Sequence, residues 1–211
     1  MRIKTVVLTD GRVWLRVASA SWKNPLDSNY AQQAGGRWNP PGAYPALYLN
    51  ADLATARSQL ERMLEGYPVG IDDLDEDAFV LVAARLPKRQ RCADAVSAAG
   101  LKALGLRGSY PLDTKGEAIP HSRCQHVGVA VRGRRLRGIW CRSAATPDGR
   151  GRELAWFPSS ARSKARPLWK RALPLGAWLY ARQWSDIGLA AQTSPVQTIN
   201  VRPARTTFPW A

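Results

Sequence analysis

Residues 35–42 read Gly35-Gly36-Arg37-Trp38-Asn39-Pro40-Pro41-Gly42, and the chain soon continues Leu47-Tyr48-Leu49. Two adjacent glycines let the backbone adopt positive φ or approach another group closely. An arginine follows at once, and its planar fork can grip an oxyanion at two points. The prolines stiffen the exit, a short strand presents Tyr48, and a helix begins just behind it. A cation, an aromatic plate and a helix start within one stretch suit a nucleotide. The same residues also suit a purely structural turn, so the flanking sequence has to decide.

Upstream, residues 5–17 (TVVLTDGRVWLRV) read as strand, turn, strand. Val6 and Leu8 precede Asp10-Gly11, a hairpin signal, and Val13, Leu15 and Val17 then alternate. Residues 19–45 are dense in turn signals, Asn24-Pro25 and Asn39-Pro40 among them, and predict a long loop rather than a helix. Trp22, Tyr30, Trp38 and Tyr44 argue that this loop is ordered.

Downstream, residues 46–50 (ALYLN) predict a strand. Asp52 is placed to cap a helix running to about Glu65, with Leu53, Ala56, Leu60, Met63 and Leu64 on one stripe. Gly66 and Pro68 end it. A strand is expected over 79–86 and a second helix over 92–104. Further strands are expected over 127–131 (VGVAV), 137–141 and 153–157. Several strands with two or three helices predict an α+β fold.

The composition changes near residue 160. Beyond it come Arg162, Lys164, Arg166, Lys170 and Arg171 with Trp169, Trp178, Trp184 and Trp210, punctuated by Pro167, Pro174, Pro195, Pro203 and Pro209. The expected division is a domain over 1–160 and a basic extension over 161–211, either a helix packed on the core or a tail without fixed structure.

The whole chain has 211 residues and a formal net charge of +15, which favours anionic partners: nucleotides, nucleic acid or an acidic protein. It has three cysteines, Cys92, Cys124 and Cys141, an odd and sparse set that argues against a disulfide framework. His121, Cys124 and His126 lie close together in sequence but fall short of the four spaced ligands of a tetrahedral zinc site, so no metal is expected. No apolar run reaches membrane-spanning length, and the N-terminal stretch does not read as a signal peptide. The expectation is a cytoplasmic protein without a membrane partner.

Taken together, several separated motifs resemble the RES domain, a family named for arginine, glutamate and serine positions that includes toxins of bacterial toxin–antitoxin systems. The resemblance runs through Val13-Trp14-Leu15-Arg16-Val17, the glycine-rich stretch at 35–42, and 47–56 (LYLNADLATA). It continues through Gly138-Ile139-Trp140-Cys141-Arg142-Ser143 and Glu153-Leu154-Ala155-Trp156-Phe157. It covers roughly residues 10–160.

The resemblance implies an ADP-ribosyltransferase-like mixed β core and an activity that cleaves NAD or transfers ADP-ribose. It also implies a set of site residues. Arg16 and Arg37 would hold the pyrophosphate or ribose, with Trp38 beside them. Tyr48 would pack against nicotinamide, and Ser143 would hydrogen-bond near it. The partners it implies are NAD as substrate, an antitoxin with a helix-turn-helix (Xre-like) domain, and a protein acceptor of ADP-ribose.

The chain departs from the family at one position. The family glutamate falls eleven residues after the strand tyrosine, and here that residue is Gln59. Glu61 is no simple substitute, because at about 100° per residue the two side chains point roughly 160° apart. Breaking the nicotinamide–ribose bond builds positive charge on the ribose, and a glutamine can accept a hydrogen bond there but brings no charge. Losing one preorganised electrostatic group costs on the order of 10²–10³ in rate.

Three readings therefore stand. In the first the protein is a slow enzyme, or one that recruits Glu153 or Glu61. In the second it binds NAD, or a partner, without turnover. In the third it binds nucleic acid through residues 132–171, where twelve Lys/Arg face Asp148 and Glu153 and Trp156 and Trp169 are interleaved. No nucleic-acid motif accompanies that basic run.

Overall fold

The apolar segment Phe79–Arg85 forms a strand, β4, that pairs antiparallel with Trp14–Ser19 (β2) over six registered pairs, from Trp14↔Ala84 to Ser19↔Phe79. This ladder anchors one half of a mixed sheet in the computed structural model, which describes residues 3–169, 172–182 and 187. Around it the chain adds Thr5–Val7 (β1), Leu47–Asn50 (β3), Arg91–Ala95 (β5), Gly138–Arg142 (β6) and Arg152–Trp156 (β7). Two short strands, Arg166–Pro167 (β8) and Leu173–Pro174 (β9), complete it. The order is β1-β5-β6-β7-β3-β2-β4-β8, with β9 also on β4. The β5–β6 pair is parallel and the other pairs are antiparallel. With helices Asn29–Ala34 (α1), Leu53–Leu64 (α2), Ala98–Ala103 (α3), His121–Gly133 (α4) and Leu175–Trp178 (α5), the architecture is α+β.

Four local expectations are corrected. Residues 5–17 do not form a hairpin: β1 pairs with β5, while β2 lies across the sheet between β3 and β4. Asp10 does stand in a turn, but its carboxylate accepts the Arg89 N–H at 2.9 Å and ties that turn to the β4–β5 connection. The turn-rich stretch holds a short helix, α1, which Gly35 ends at φ 77° with its N–H on the Ala31 carbonyl.

Residues 92–104 divide into β5 and α3. Asp94 accepts the N–H groups of Val96 and Ser97 and turns the chain, and Ser97 then caps the helix at Gly100 N–H. Residues 127–131 belong to helix α4, which buries Cys124, Val127, Gly128 and Val131, a helical spacing. A five-residue apolar run does not distinguish strand from helix by itself.

The core has two blocks on the face that carries the cleft. One gathers α4, α3 and the β5–β6–β7 strands around Trp38, Tyr110 and Phe157. The other gathers α2, β2 and β4 around Leu60, Phe79 and Leu81. Leu175 and Trp178 of α5 join the second block. Arg57 of α2 donates to the carbonyls of Leu179 and Ala181, which draws the segment after α5 onto the same helix. Lys170, Arg171, Trp184, Pro195, Pro203, Pro209 and Trp210 lie outside the described residues. Among the described residues no helix is long and apolar enough to cross a membrane.

Candidate functional site

β2 and β3 share a single registered pair, Leu15↔Asn50. Further along that register Val17 and Tyr48 do not pair with each other, although Val17 pairs with Leu81 and Tyr48 with Ala155 on their other sides, and both border a cleft of roughly 700 Å³. The parting of two adjacent strands thus opens the site, and the loop between α1 and β3 forms one wall.

That loop is held by side chains. Trp38 N–H donates to the Tyr48 hydroxyl at 2.8 Å, and the hydroxyl donates to Asn39 Oδ1 at 2.8 Å. The Tyr44 hydroxyl donates to the Trp38 carbonyl at 2.7 Å. Asn39 Nδ2 donates to the Ala31 carbonyl, and Gln125 Nε2 donates to the Gly36 carbonyl at 2.9 Å. Gly36 lies so close to the Tyr48 ring that a Cβ there would stand 2.6 Å from its hydroxyl. The glycine pair therefore permits a close approach, and Tyr48 is both cleft wall and brace. Burial pushes the Tyr48 phenol far up, so it stays protonated and can donate.

Arg16, Arg37, Tyr48 and Gln59 all line this cleft. Arg37 is steadied through Nη1, which donates to the Ile119 carbonyl at 2.9 Å and, more weakly, to Cys124 Sγ at 4.0 Å. Arg16 is 8% exposed, and its guanidinium lies 5.4 Å from the Trp22 ring centroid. Burial lowers its pKa to about 10, an effect the Asp27 charge opposes, so it remains cationic at neutral pH. Its Nε is buried without a hydrogen-bond partner. A buried unsatisfied donor on a cation is costly, and an anionic ligand would relieve that cost.

Two predicted residues do not line the cleft. The Trp38 ring is fully buried in the core, 5.6 Å from Tyr110, so its contribution to the site runs through its backbone. Ser143 is also fully buried, behind Ala144 and Ala145, which do line the cleft. Its hydroxyl donates to Glu153 Oε2 at 3.0 Å, and Glu153 borders the cleft.

Of the two acids that could be recruited, Glu153 is the one at the cleft, and it is buried at 7% exposure. β7 is covered on both faces, so a charged residue between Cys141 of β6 and Asn50 of β3 cannot reach solvent freely. The signal was present in ELAWF, where one acid opens an otherwise apolar strand. Glu61 is exposed and does not border the cleft.

Sequence reasoning also missed Trp22, Tyr30, Arg62 and His121 as cleft residues. Trp22 and Tyr30 form an aromatic pair with centroids 4.9 Å apart. His121 begins α4, and burial with the nearby Arg37 and Arg62 charges holds its imidazole below the usual value, which favours the neutral ring. Nothing in the spacing of these residues linked them before the loops were folded.

Four arginines of the basic run are used internally. Arg142 donates to the carbonyls of Val96, Gly108 and Tyr110 at 2.8–3.0 Å, and Arg132 stands 5.8 Å from the Tyr44 ring centroid. Arg137 donates to Ser159, and Arg152 to the Gly151 carbonyl.

The RES domain family profile matches residues 12–177. A chain of the crystal structure of the M. tuberculosis MbcT–MbcA toxin–antitoxin complex superposes with a TM-score of 0.65 at 20% identity, covering 82% of this chain and 90% of that one. At that identity the likeness establishes a shared fold. No curated protein matches the sequence. The profile match spans the cleft and every strand except β1, and the chain is a member of the RES-domain family.

Proposed function

We propose that this RES-domain protein is the toxin component of a toxin–antitoxin pair and that its cleft binds NAD and cleaves the nicotinamide–ribose bond. The observation that carries the reading is the convergence of Arg16, Arg37, Tyr48 and Gln59, distant in sequence, on one cleft. Two guanidinium groups match the two charges of a pyrophosphate, and the unpartnered Arg16 Nε is a donor awaiting an oxygen. The Tyr48 ring offers a flat wall for nicotinamide, and the Trp22–Tyr30 pair offers a second aromatic surface for a base. The volume suits a ligand of this size.

In the reaction the C1′–N bond breaks and its electron pair leaves with nicotinamide, which departs neutral. Water adds at C1′ and releases a proton, giving ADP-ribose. A protein nucleophile in place of water gives transfer instead. Holding both ends of the dinucleotide fixes the reacting bond relative to the wall groups, which is where positioning contributes.

An antitoxin carrying a helix-turn-helix domain is the proposed partner, in line with the toxin–antitoxin pairing of the structural neighbour. The test is to incubate purified protein with NAD and measure free nicotinamide. Release is expected in the parent and is expected to vanish in Arg37→Ala. A parent that binds NAD but releases nothing would instead support a binding protein in which Gln59 has cost the chemistry.

A further inference from the structure

Glu153 is an acid in an expensive place. It sits on β7 between Asn50 of β3 and Cys141 of β6, and its side chain borders the cleft. The Ser143 hydroxyl holds Oε2 at 3.0 Å, and the Cys141 thiol lies 3.7 Å from Oε1. Among the described residues the ion pairs are Arg62–Glu65 and Arg150–Asp148, so Glu153 has no cation within 4.0 Å. Burial raises its pKa, a tendency that the Ser143 bond and the Arg37 charge oppose. A buried carboxylate without a paired cation is costly. A chain that keeps one beside a ligand cleft leaves room for a cation supplied from outside.

The charges of the cleft then sort themselves. Arg16 and Arg37 answer the two phosphates. Glu65, the other cleft acid among the described residues, is exposed and already paired with Arg62 at 2.8 Å. Gln59 is neutral. The one charge of oxidised NAD left unanswered is the pyridinium cation, and the one unpaired anion at the cleft is Glu153.

We infer that Glu153 is the catalytic carboxylate of this chain: it faces the cationic nicotinamide–ribose end of the bound dinucleotide and supplies from β7 the charge that Gln59 lacks on α2. The inference rests on the NAD reading above. As the C1′–N bond breaks, positive charge passes from the pyridinium ring to the ribose C1′–O4′ unit, and a fixed carboxylate opposes it before and during the step. Ser143 is a positioning residue that orients Oε2. The reduced dinucleotide, whose nicotinamide is neutral, gains nothing from Glu153.

The test uses the full chain as parent, Glu153→Gln, Ser143→Ala, and Glu153→Gln combined with Gln59→Glu. Thermal melts confirm that each is folded. Binding is titrated with carba-NAD, whose nicotinamide ring is cationic and which resists cleavage, and with NADH. Nicotinamide release from NAD is followed separately. The parent is expected to prefer carba-NAD over NADH by about tenfold, as expected for one opposite charge in a partly buried site. Glu153→Gln is expected to lose that preference and to slow release on the order of 10²–10³.

Ser143→Ala keeps the carboxylate but unhooks it, so a smaller loss in both readouts is expected. The double variant is expected to recover part of both. A Glu153→Gln protein that keeps the parent's preference and release rate overturns the role of Glu153 while leaving the NAD reading intact. A parent that binds neither dinucleotide overturns both.

Discussion

The ring of Tyr48 occupies the space a side chain on Gly36 would need: a Cβ there would lie 2.6 Å from the hydroxyl and 2.8 Å from two ring carbons. Gly36→Ala must therefore move either the loop or the ring. Overpacking of this kind costs about 1–3 kcal/mol. The expected outcome is a lower Tm together with weaker NAD binding. Combining it with Tyr48→Phe is expected to relieve little of the strain, since the ring carbons remain. Thermal melts of the two single variants and the double one would show this.

Tyr48→Phe alone removes a hydroxyl that both accepts from Trp38 N–H and donates to Asn39 Oδ1. The ring stays, so any stacking surface stays with it. The unpaired loop groups are expected to cost about 1–3 kcal/mol. At this chain length that corresponds to roughly 2–4 °C of Tm per kcal/mol. Calorimetry checks the loss, and faster amide exchange confined to residues 36–39 would locate it.

Helix α4 rests directly on the same loop. A Cβ on Gly128 would fall 1.7 Å from the Trp38 carbonyl oxygen, a backbone atom that cannot swing aside. Gly128→Ala is expected to destabilise by about 3 kcal/mol, the upper end for overpacking. A matching change at Gly133, where a Cβ meets nothing within 4 Å, is expected to be nearly silent. Comparing denaturant midpoints of the two variants separates packing from helix propensity.

The pH dependence of stability follows from Glu153. Its folded pKa is raised above the ordinary 4.5, with burial as the leading cause. The stability tied to its neutral form is therefore complete below that ordinary value and is lost as pH rises through the folded pKa. Glu153→Gln is expected to be more stable than the parent at pH 7–8, with the advantage fading toward pH 4. Melting curves across this range test the sign. The same variant is expected to be the poorer catalyst, a trade between stability and function.

The segment after α5 is held to α2 by the guanidinium of Arg57, which donates to the Leu179 and Ala181 carbonyls. Arg57→Met keeps much of the aliphatic stem and removes the donors. Limited proteolysis is expected to cut near residues 178–182 faster in the variant, while Trp178 stays buried in the apolar cluster that also holds Leu60 and Leu64. Equal cleavage rates would show that apolar packing alone holds the segment.

Local grammar alone was enough for several elements. Asp52 caps α2 at Thr55 N–H, Gly35 ends α1 at positive φ, and β3, β4, β6 and β7 fall where apolar runs between turn residues predicted them. These features depend on contacts within a few residues, which is why a linear reading finds them. The grouping of Arg16, Arg37, Tyr48 and Gln59 was also legible, through the family resemblance.

Tertiary structure decided what depends on distant partners. β1 left β2 because β5 offered it an edge, and VGVAV became helix because Gly128 could pack against the Trp38 carbonyl. Glu153 became a cleft carboxylate rather than a surface one because strands β3 and β6 flank β7 and both sheet faces around it are covered. The sequence determined which residues carry charge and where the chain turns. Which charges ended up buried, and opposite what, was set by long-range pairing and packing, whose energies no local window contains.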